Sequence, residues 1–553
     1  MNALAIDYVP PNRNREGHIV GIDVAVRTLL DAFARYADID TFLCRTGDAA
    51  AFEELHKHMA QGDGDPDRWW HLGVDTPLET VDAGTFFRPD PNINGLIARR
   101  TKAGPQAYSV CGLSHTMSSM QVMGTVATAI TQPLQSWDAV VCPSRAIRGV
   151  VESLWEAASQ GAALPPAQLP VIPLGIDTAL FSALTGDGMR AAQRLVLGAD
   201  AEDVVVLFYG RLSYHNKAHP LPLLLAAERV AARRQAAGLP GRLHLVFYGY
   251  FTGEAFREDY QKAAAVICGN AAVRFVENND PNFPDALWAG ADIFVSLVDN
   301  VQESFGLTPI EAMAAGLPAV VSDWDGYRDT VRSGEDGFLI PTVAPDAGAG
   351  LEPARRYLAG EDVYGEYLAG VSQSVAVDID ATAEAIGRLA DDAALRKRMG
   401  AAGRRRAQDM FDWRAVVPAY DKLWRELAER RERDAVSEPA AAHAITGPAE
   451  MDPYRVFRGF PSFRLMPDDT IVLTDRAAAV LADRLRHRMN MFVPVHLLAP
   501  EDLPRLLSRL QAVDRISDVA ADWPERERSR VERTLAWLVK LGIARHEPAN
   551  ARA

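Results

Sequence analysis

Short β-like runs, that at 204–209 continuously apolar, alternate with amphipathic stretches of helical period from the N-terminus to about residue 430. Residues 3–6, 107–112, 139–142 and 171–174 read as strands in the first half, and 204–209, 243–248, 273–276, 293–297 and 319–322 in the second. Between them lie helical patterns. One covers 23–36, with Val24, Leu29, Leu30 and Phe33 on one face; another covers 221–237 and is closed by Gly238 and Pro240. A strand that is apolar at every position is buried on both faces, and strand–helix alternation builds parallel sheets with helices on both sides. So many strands exceed one domain, and the expectation is an α/β chain with two such domains facing a cleft. Ligands of parallel sheets settle outside the carboxyl ends of the strands, which puts the expected site in that cleft.

The first domain is expected over residues 1–190 and the second over 191–411, with a helix at 412–430 crossing back to the first. Residues 431–455 read as a linker that starts charged and continues in Ala, Pro and Gly. Patterning restarts over 456–553, with a strand at 470–473, a helix N-capped by Thr474 and running to Leu485, and a helix from Pro524 to Leu541 stopped by Gly542. This small module is expected to be mostly helical and winged-helix-like.

Lys and Arg number 58 against 73 Asp and Glu, a net charge of −15. That balance argues against nucleic acid as a partner, because phosphate contacts need positive surface. Cys44, Cys111, Cys142 and Cys268 are far apart with no CxxC pair, so a reducing cytoplasm is the expected setting. The first seven residues lack a basic region and an apolar core, so no signal peptide is expected. Residues 103–137 contain no Asp, Glu, Lys or Arg, yet they are rich in Ser, Thr, Gln and Gly and read as folded interior rather than a membrane span.

The densest chemical signal is DNVQESFGLTPIEAMAAGLP, residues 299–318. Residues 304–307 are expected to form a loop at the carboxyl end of a strand, presenting backbone N–H groups to an anionic or hydroxyl-rich ligand. Thr308 and Pro309 then open a helix with Glu311 in its first turn. The positive end of a helix suits a diphosphate, and ionised Glu303 and Glu311 suit vicinal hydroxyls. An isolated pair of glutamates is more often a first-turn acid and a solvated loop residue; the strand–loop–helix context favours a site.

The run ESFGLTPIEAMAAGLP, followed by SDWDGYRDTVRSGEDGFLIP, resembles the donor-binding region of GT-B fold retaining glycosyltransferases of family 4 (glycosyl transferases group 1). VVLFYGRLSYHNKAHP, WDAVVCPSRAIRGVV, VIPLGIDTALF and FDWRAVVPAYDKLW resemble further blocks of that family, in the family's order, over about residues 1–430. The resemblance implies two Rossmann-like domains: an acceptor-side domain at 1–190 and a nucleotide-sugar domain at 191–411. It implies an EC 2.4 transferase using a nucleotide-diphosphate sugar, UDP- or GDP-linked, with no cofactor and an unidentified acceptor. Arg211 and Lys217 would contact the donor phosphates and neutralise the leaving group. Glu311 would bind the ribose, while Glu303, with the backbone of Phe305, Gly306, Leu307 and Thr308, would hold the donor sugar. Gly210 would let the backbone approach the ligand. Gly17 and Gly21, in the loop before the 23–36 helix, would face the diphosphate, although the family's adjacent Gly-Gly is Val20-Gly21 here. Asp23 and His115 are acceptor-side candidates, His115 facing the sugar near its reacting carbon. Retention is expected to follow same-face attack rather than a covalent step on Glu303.

The remaining histidines show no metal-ligand spacing and no DxD follows a strand, so no metal is expected. Residues 343–374 read as an insertion with Tyr357, Tyr364 and Tyr367 at its middle, favoured as a surface excursion over an element that shapes the acceptor side. Arg404, Arg405 and Arg406 read as the solvated face of a helix, with contact to an inner membrane surface as the less favoured reading. In the C-terminal module, Arg526, Arg528, Arg530 and Arg533 alternate with Glu525, Glu527 and Glu532, which disfavours DNA and fits dimerisation or a protein partner. The competing functions on this fold are a phosphorylase or epimerase, and a non-catalytic nucleotide-sugar-binding protein acting through that module.

Overall fold

Six strands pair into one parallel sheet and six into a second; three strands of the first, at 41–45, 69–72 and 85–88, were not expected, and the expected strand at 171–174 joins neither sheet. The structure is a computed structural model that describes residues 3–8, 21–61, 65–73, 75–161, 163–277, 287–345, 351–434, 465–475, 477–485, 497–512 and 515–549. In the first half, β1 (Ala3–Asp7), β2 (Thr41–Arg45), β3 (Trp69–Leu72), β4 (Thr85–Arg88), β5 (Ser109–Leu113) and β6 (Ala139–Val141) lie in the order β3-β2-β1-β4-β5-β6. In the second, β7 (Val204–Tyr209), β8 (Leu243–Gly249), β9 (Ala272–Glu277), β10 (Ile293–Ser296), β11 (Ala319–Ser322) and β12 (Gly337–Ile340) lie in the order β12-β11-β10-β7-β8-β9. All neighbours run parallel, from Leu4 opposite Phe42 to Val321 opposite Leu339. The strand order reverses between β1 and β4 and between β7 and β10. A crevice opens at such a switch point, outside the carboxyl ends of the two strands. Every residue of β8 and β10 is buried, the reason these segments, His244 and Ser296 apart, are apolar without alternation.

Two of the contacts that tie the halves of this body together involve the end of the second half. The first is a double crossing, where the Ile176 N–H donates to the Phe411 carbonyl at 2.8 Å and the Trp413 N–H to the Ile176 carbonyl at 3.1 Å. Gly175 is obligatory there, because a Cβ would stand 2.4 Å from the Trp413 ring. The second is the Trp413–Asp434 helix, which packs on the Gly21–Tyr36 helix of the first half. The Phe33 ring meets Tyr420 and Trp424 edge-on, both at 5.2 Å, and all three side chains are fully buried. Phe33 and Trp424, one from each half, thus lie in a single core.

Several local expectations change. The inserted residues 351–374 carry helices Leu351–Ala359 and Tyr364–Ser372, with Leu368 and Ser372 buried, flanked by the two-residue strands β13 (Thr342–Val343) and β14 (Ala376–Val377). Arg404 and Arg406 do not form a solvated face. Arg404 donates to the Ala315 carbonyl at 2.9 Å and the Thr185 hydroxyl at 3.2 Å. Arg406 donates to the carbonyls of Thr330 and Asp329 and lies over the Phe411 ring at 5.4 Å. Both arginines answer carbonyls that would otherwise be orphaned. No described helix is long and apolar enough to cross a membrane.

Residues 448–553 form a separate compact unit. An antiparallel ribbon of β15 (Thr470–Leu473) and β16 (Ala544–Glu547) packs with helices Ala477–Arg484, Leu503–Leu510, Ile516–Ala521 and Glu525–Lys540 around Leu506, Trp523, Val531, Leu535, Leu538 and Ile543. Thr474 does not cap its helix; its hydroxyl donates to the Ile543 carbonyl at 2.8 Å and closes the ribbon instead.

Candidate functional site

The charged residues of interest gather at the β7/β10 switch point. Arg211 follows β7 and Gly210. Lys217 lies in the turn after it, and Glu303 and Glu311 follow β10. The Lys217 Nζ donates to the Glu303 carboxylate at 2.6 Å, with the two side chains only 13 % and 16 % exposed. Burial works against both charges, but the pairing prevails: the Lys217 pKa is held above its ordinary value and that of Glu303 below it. Arg211 stands close enough to act electrostatically on both members of the pair. Its guanidinium donates to the Gln302 side-chain oxygen at 3.0 Å and the Asn216 carbonyl at 3.3 Å. Among the described residues no cation bonds Glu311: burial pushes its pKa up to about 7, only partly opposed by the charge of Lys217. Lys217 is thus the node that Arg211, Glu303 and Glu311 share.

The loop between the glutamates is fixed from three sides. Gly306 has φ +85°, and a Cβ on it would fall 2.0 Å from the Tyr327 ring, so only glycine lets the chain turn here. The Leu307–Ala314 helix therefore starts at Leu307, earlier than expected, with Thr308 in its second position and Glu311 beyond its first turn. The Phe305 side chain is buried, its ring 6.0 Å from Phe411, so only its backbone is available to a ligand. From the first half, the Ser144 hydroxyl donates to the Ser304 carbonyl at 2.8 Å while receiving the Ile147 N–H at its own helix start. Beside it, Arg145 bonds Asp329 through its backbone N–H at 2.6 Å and its Nε at 2.5 Å.

Beneath the loop, Asn300 donates to the Lys217 carbonyl at 2.6 Å and accepts the Gln302 N–H at 2.9 Å. Asp299 accepts the His219 N–H at 3.3 Å, and its burial raises its pKa to about 7. Tyr327 shares a 2.8 Å bond with Ser296. Asp325 holds a left-handed backbone, φ +47°, and burial followed by the charge of Glu303 raises its pKa well above the carboxylate range. Sequence reasoning passed over Gln302, Asn300, Tyr327 and Ser144. The first two lay in plain view beside Glu303, and Tyr327 lay inside the quoted SDWDGYRDTV block.

Other candidates lie apart from this cluster. His115 follows β5, is 5 % exposed, and bonds the Pro89 carbonyl through Nε2 at 2.9 Å. Burial lowers its pKa, so the ring is neutral. No hydrogen bond among the described residues joins it to Arg211, Lys217, Glu303 or Glu311. Gly21 opens the Gly21–Tyr36 helix and Asp23 lies in its first turn. The side chain of Asp23, and Gly17 with its loop, lie outside the described residues. Among the described residues no three His, Cys, Asp or Glu side chains are grouped to hold a metal ion.

Residues 189–351 match the family model of glycosyl transferases group 1. The D-inositol 3-phosphate glycosyltransferase of Acidothermus cellulolyticus is 29 % identical over 272 residues, covering 47 % of this chain and 58 % of the relative. That of Rhodococcus erythropolis is 33 % identical over 175 residues, covering 32 % of this chain and 37 % of the relative. These alignments span about half of the curated relatives' length or less. The crystal structure of Anabaena Alr3699/HepE in complex with UDP superposes with a TM-score of 0.50 at 16 % identity, covering 77 % of this chain and all of that one, which establishes the GT-B architecture of two Rossmann-like domains. The segment that matches the glycosyl transferases group 1 model, residues 189–351, is the one that carries Arg211, Lys217, Glu303 and Glu311.

Proposed function

We propose that the chain is a retaining glycosyltransferase that moves a sugar from a nucleotide-diphosphate sugar to an acceptor, without a metal ion. The observation that carries this reading is the meeting of Arg211, Lys217, Glu303 and Glu311 at the switch point of the second sheet. Arg211 and Lys217 supply fixed positive charge where the leaving diphosphate accumulates negative charge, the task a metal performs elsewhere. Glu303 stays ionised and accepts from hydroxyls of the donor sugar, and Glu311 accepts from those of the ribose. The acceptor oxygen bonds to the anomeric carbon from the face the diphosphate leaves. The carbon–oxygen bond to phosphate breaks with its electron pair, and a leaving phosphate oxygen takes the acceptor proton. The four cysteines are free thiols, in keeping with a cytoplasmic setting. We read the 448–553 unit as an interaction module for a second copy or a protein partner.

The Anabaena protein is in complex with UDP and the relatives are named for inositol 3-phosphate, so UDP-sugars and that acceptor are the first to test. A panel of UDP-, GDP-, ADP- and dTDP-sugars is expected to show one that raises the melting temperature, with the shift and the transfer both intact in EDTA. A ligand at one hundred times its Kd stabilises by about 2.7 kcal/mol. A panel with no stabilising member overturns the reading.

Glu311 gives that binding a pH dependence. Its proton stays on up to about pH 7, whereas ribose hydroxyls need the ionised carboxylate as acceptor. Donor affinity is therefore expected to fall as pH drops below 7, by about tenfold per pH unit once the carboxyl is mostly protonated. A nucleotide sugar is the right probe, since its diphosphate has no titration of its own near neutrality. Glu311→Gln should bind weakly with no such slope; a slope that persists in this variant assigns the proton elsewhere.

A further inference from the structure

The helix pair inserted at residues 351–372 reaches the donor site through one hydroxyl. Tyr364 Oη lies 2.7 Å from the Ser118 hydroxyl, on the loop that follows β5 and His115 in the first half of the body. It also receives the Gln302 side-chain N–H at 3.5 Å, a long bond, while the other end of that amide accepts from Arg211 at 3.0 Å. These two neighbours demand the same orientation of the Gln302 amide, oxygen toward the guanidinium and nitrogen toward the phenol. Gln302 is held at its backbone as well, by Asn300. Arg211 acts electrostatically on Tyr364, in keeping with their proximity.

The tyrosine is itself held in place. Its ring lies 6.1 Å from that of Tyr357, which stacks on Tyr367 at 4.8 Å and 15°. The Tyr357 hydroxyl receives the Met120 N–H at 3.3 Å, a second bond from the insertion to the same loop. A surface excursion has no need of two bonds to a loop more than 200 positions away.

We propose that Tyr364 is a positioning residue of the donor site: through Gln302 it orients Arg211 toward the diphosphate, and through Ser118 it joins that cation to the His115 loop. The inserted helices are then part of the binding machinery. This rests on the nucleotide-sugar reading above.

The test uses the full chain and three variants, Tyr364→Phe, Gln302→Ala and the double variant. The probes are the nucleoside diphosphate that best stabilises the wild type and its parent nucleoside. Tyr364→Phe keeps the ring stack and removes one hydroxyl. Affinity for the diphosphate should fall about fivefold, the worth of one neutral hydrogen bond, with affinity for the nucleoside and the melting temperature of the empty protein unchanged. The double variant should be no weaker than Gln302→Ala alone, because both act through one amide. Equal losses for diphosphate and nucleoside, or additive losses in the double variant, overturn the proposal. Hydrogen exchange on the empty protein gives a ligand-free arm: Tyr364→Phe should speed exchange of amides in both 116–122 and 300–304. Unchanged exchange in those segments also overturns it. If no diphosphate binds the wild type, the donor reading has failed, and the exchange result still decides whether the hydroxyl ties the loops.

Discussion

Lys217→Met and Glu303→Gln are each expected to lower kcat/KM for sugar transfer by about 10²- to 10³-fold, the usual effect of deleting one preorganised charge at a site of developing charge. Both changes nearly preserve shape. The methionine keeps the stem that lies against Gly210, where a Cβ would stand 3.2 Å from the lysine's Cε. Their effects on stability and on activity should part ways. Each single change leaves a half-buried charge without its partner, because the 2.6 Å bond is the direct ion pair that holds them. Unfolding by urea should therefore show both single variants weakened. The double variant Lys217→Met/Glu303→Gln has no charge left to strand and should recover much of that stability. Activity should not return with it, since the diphosphate and the sugar hydroxyls have each lost a partner. Recovery of both together would mean the pair is only structural, and single variants within tenfold of wild-type turnover would remove it from the mechanism.

Much of this site was legible because its signals are local. The strand before it is buried at every position and apolar but for Ser296, the glutamates flank a Ser-Phe-Gly loop, and Arg211 and Lys217 follow a continuous apolar strand. The second sheet follows from the same alternation, whereas β2, β3 and β4 of the first were not read and 171–174 forms no strand. What was misread depends on partners far away in the chain. The helix carrying Glu311 starts at Leu307 because Gly306 turns against Tyr327, a contact no local propensity reports. Arg404 and Arg406 look like a solvated run, but carbonyls at Ala315 and Thr330 call them inward. Thr474 has the residue type of a cap and spends its hydroxyl on Ile543, 69 positions on.

The same reasoning explains why the contacts of the insertion went unread. Its aromatic residues have no strict helical stripe, since three tyrosines turn to one another and to Met120 and Ser118 rather than into a core. Ser118 and Tyr364 are 246 positions apart, so their bond is invisible to any window of sequence. Periodicity reports which face of an element is buried; a polar bond across a cleft leaves no period behind.

Asp138→Ala is expected to be the most damaging single change to the first half, costing about 3–5 kcal/mol. The side chain has no exposure at all, and Arg100 beside it is 2 % exposed. The guanidinium grips both carboxylate oxygens, at 2.5 and 2.6 Å, and also donates to the carbonyls of Tyr108 at 3.0 Å and Pro133 at 3.2 Å. The carboxylate receives two backbone N–H groups as well, from Val110 at 2.9 Å and Gln135 at 2.8 Å. It therefore fastens β5, the turn before β6 and the Asn94–Ala103 helix at one point. Alanine strands a buried cation and two amides, each a group whose desolvation is then uncompensated. Arg100→Met strands the carboxylate but leaves it both amide donors, so its cost should be smaller. Urea unfolding followed by tryptophan fluorescence reads both. Equal midpoints for the two variants would show that the amide bonds contribute nothing beyond the ion pair, and midpoints at the wild-type value would show that this junction does not hold the first sheet together.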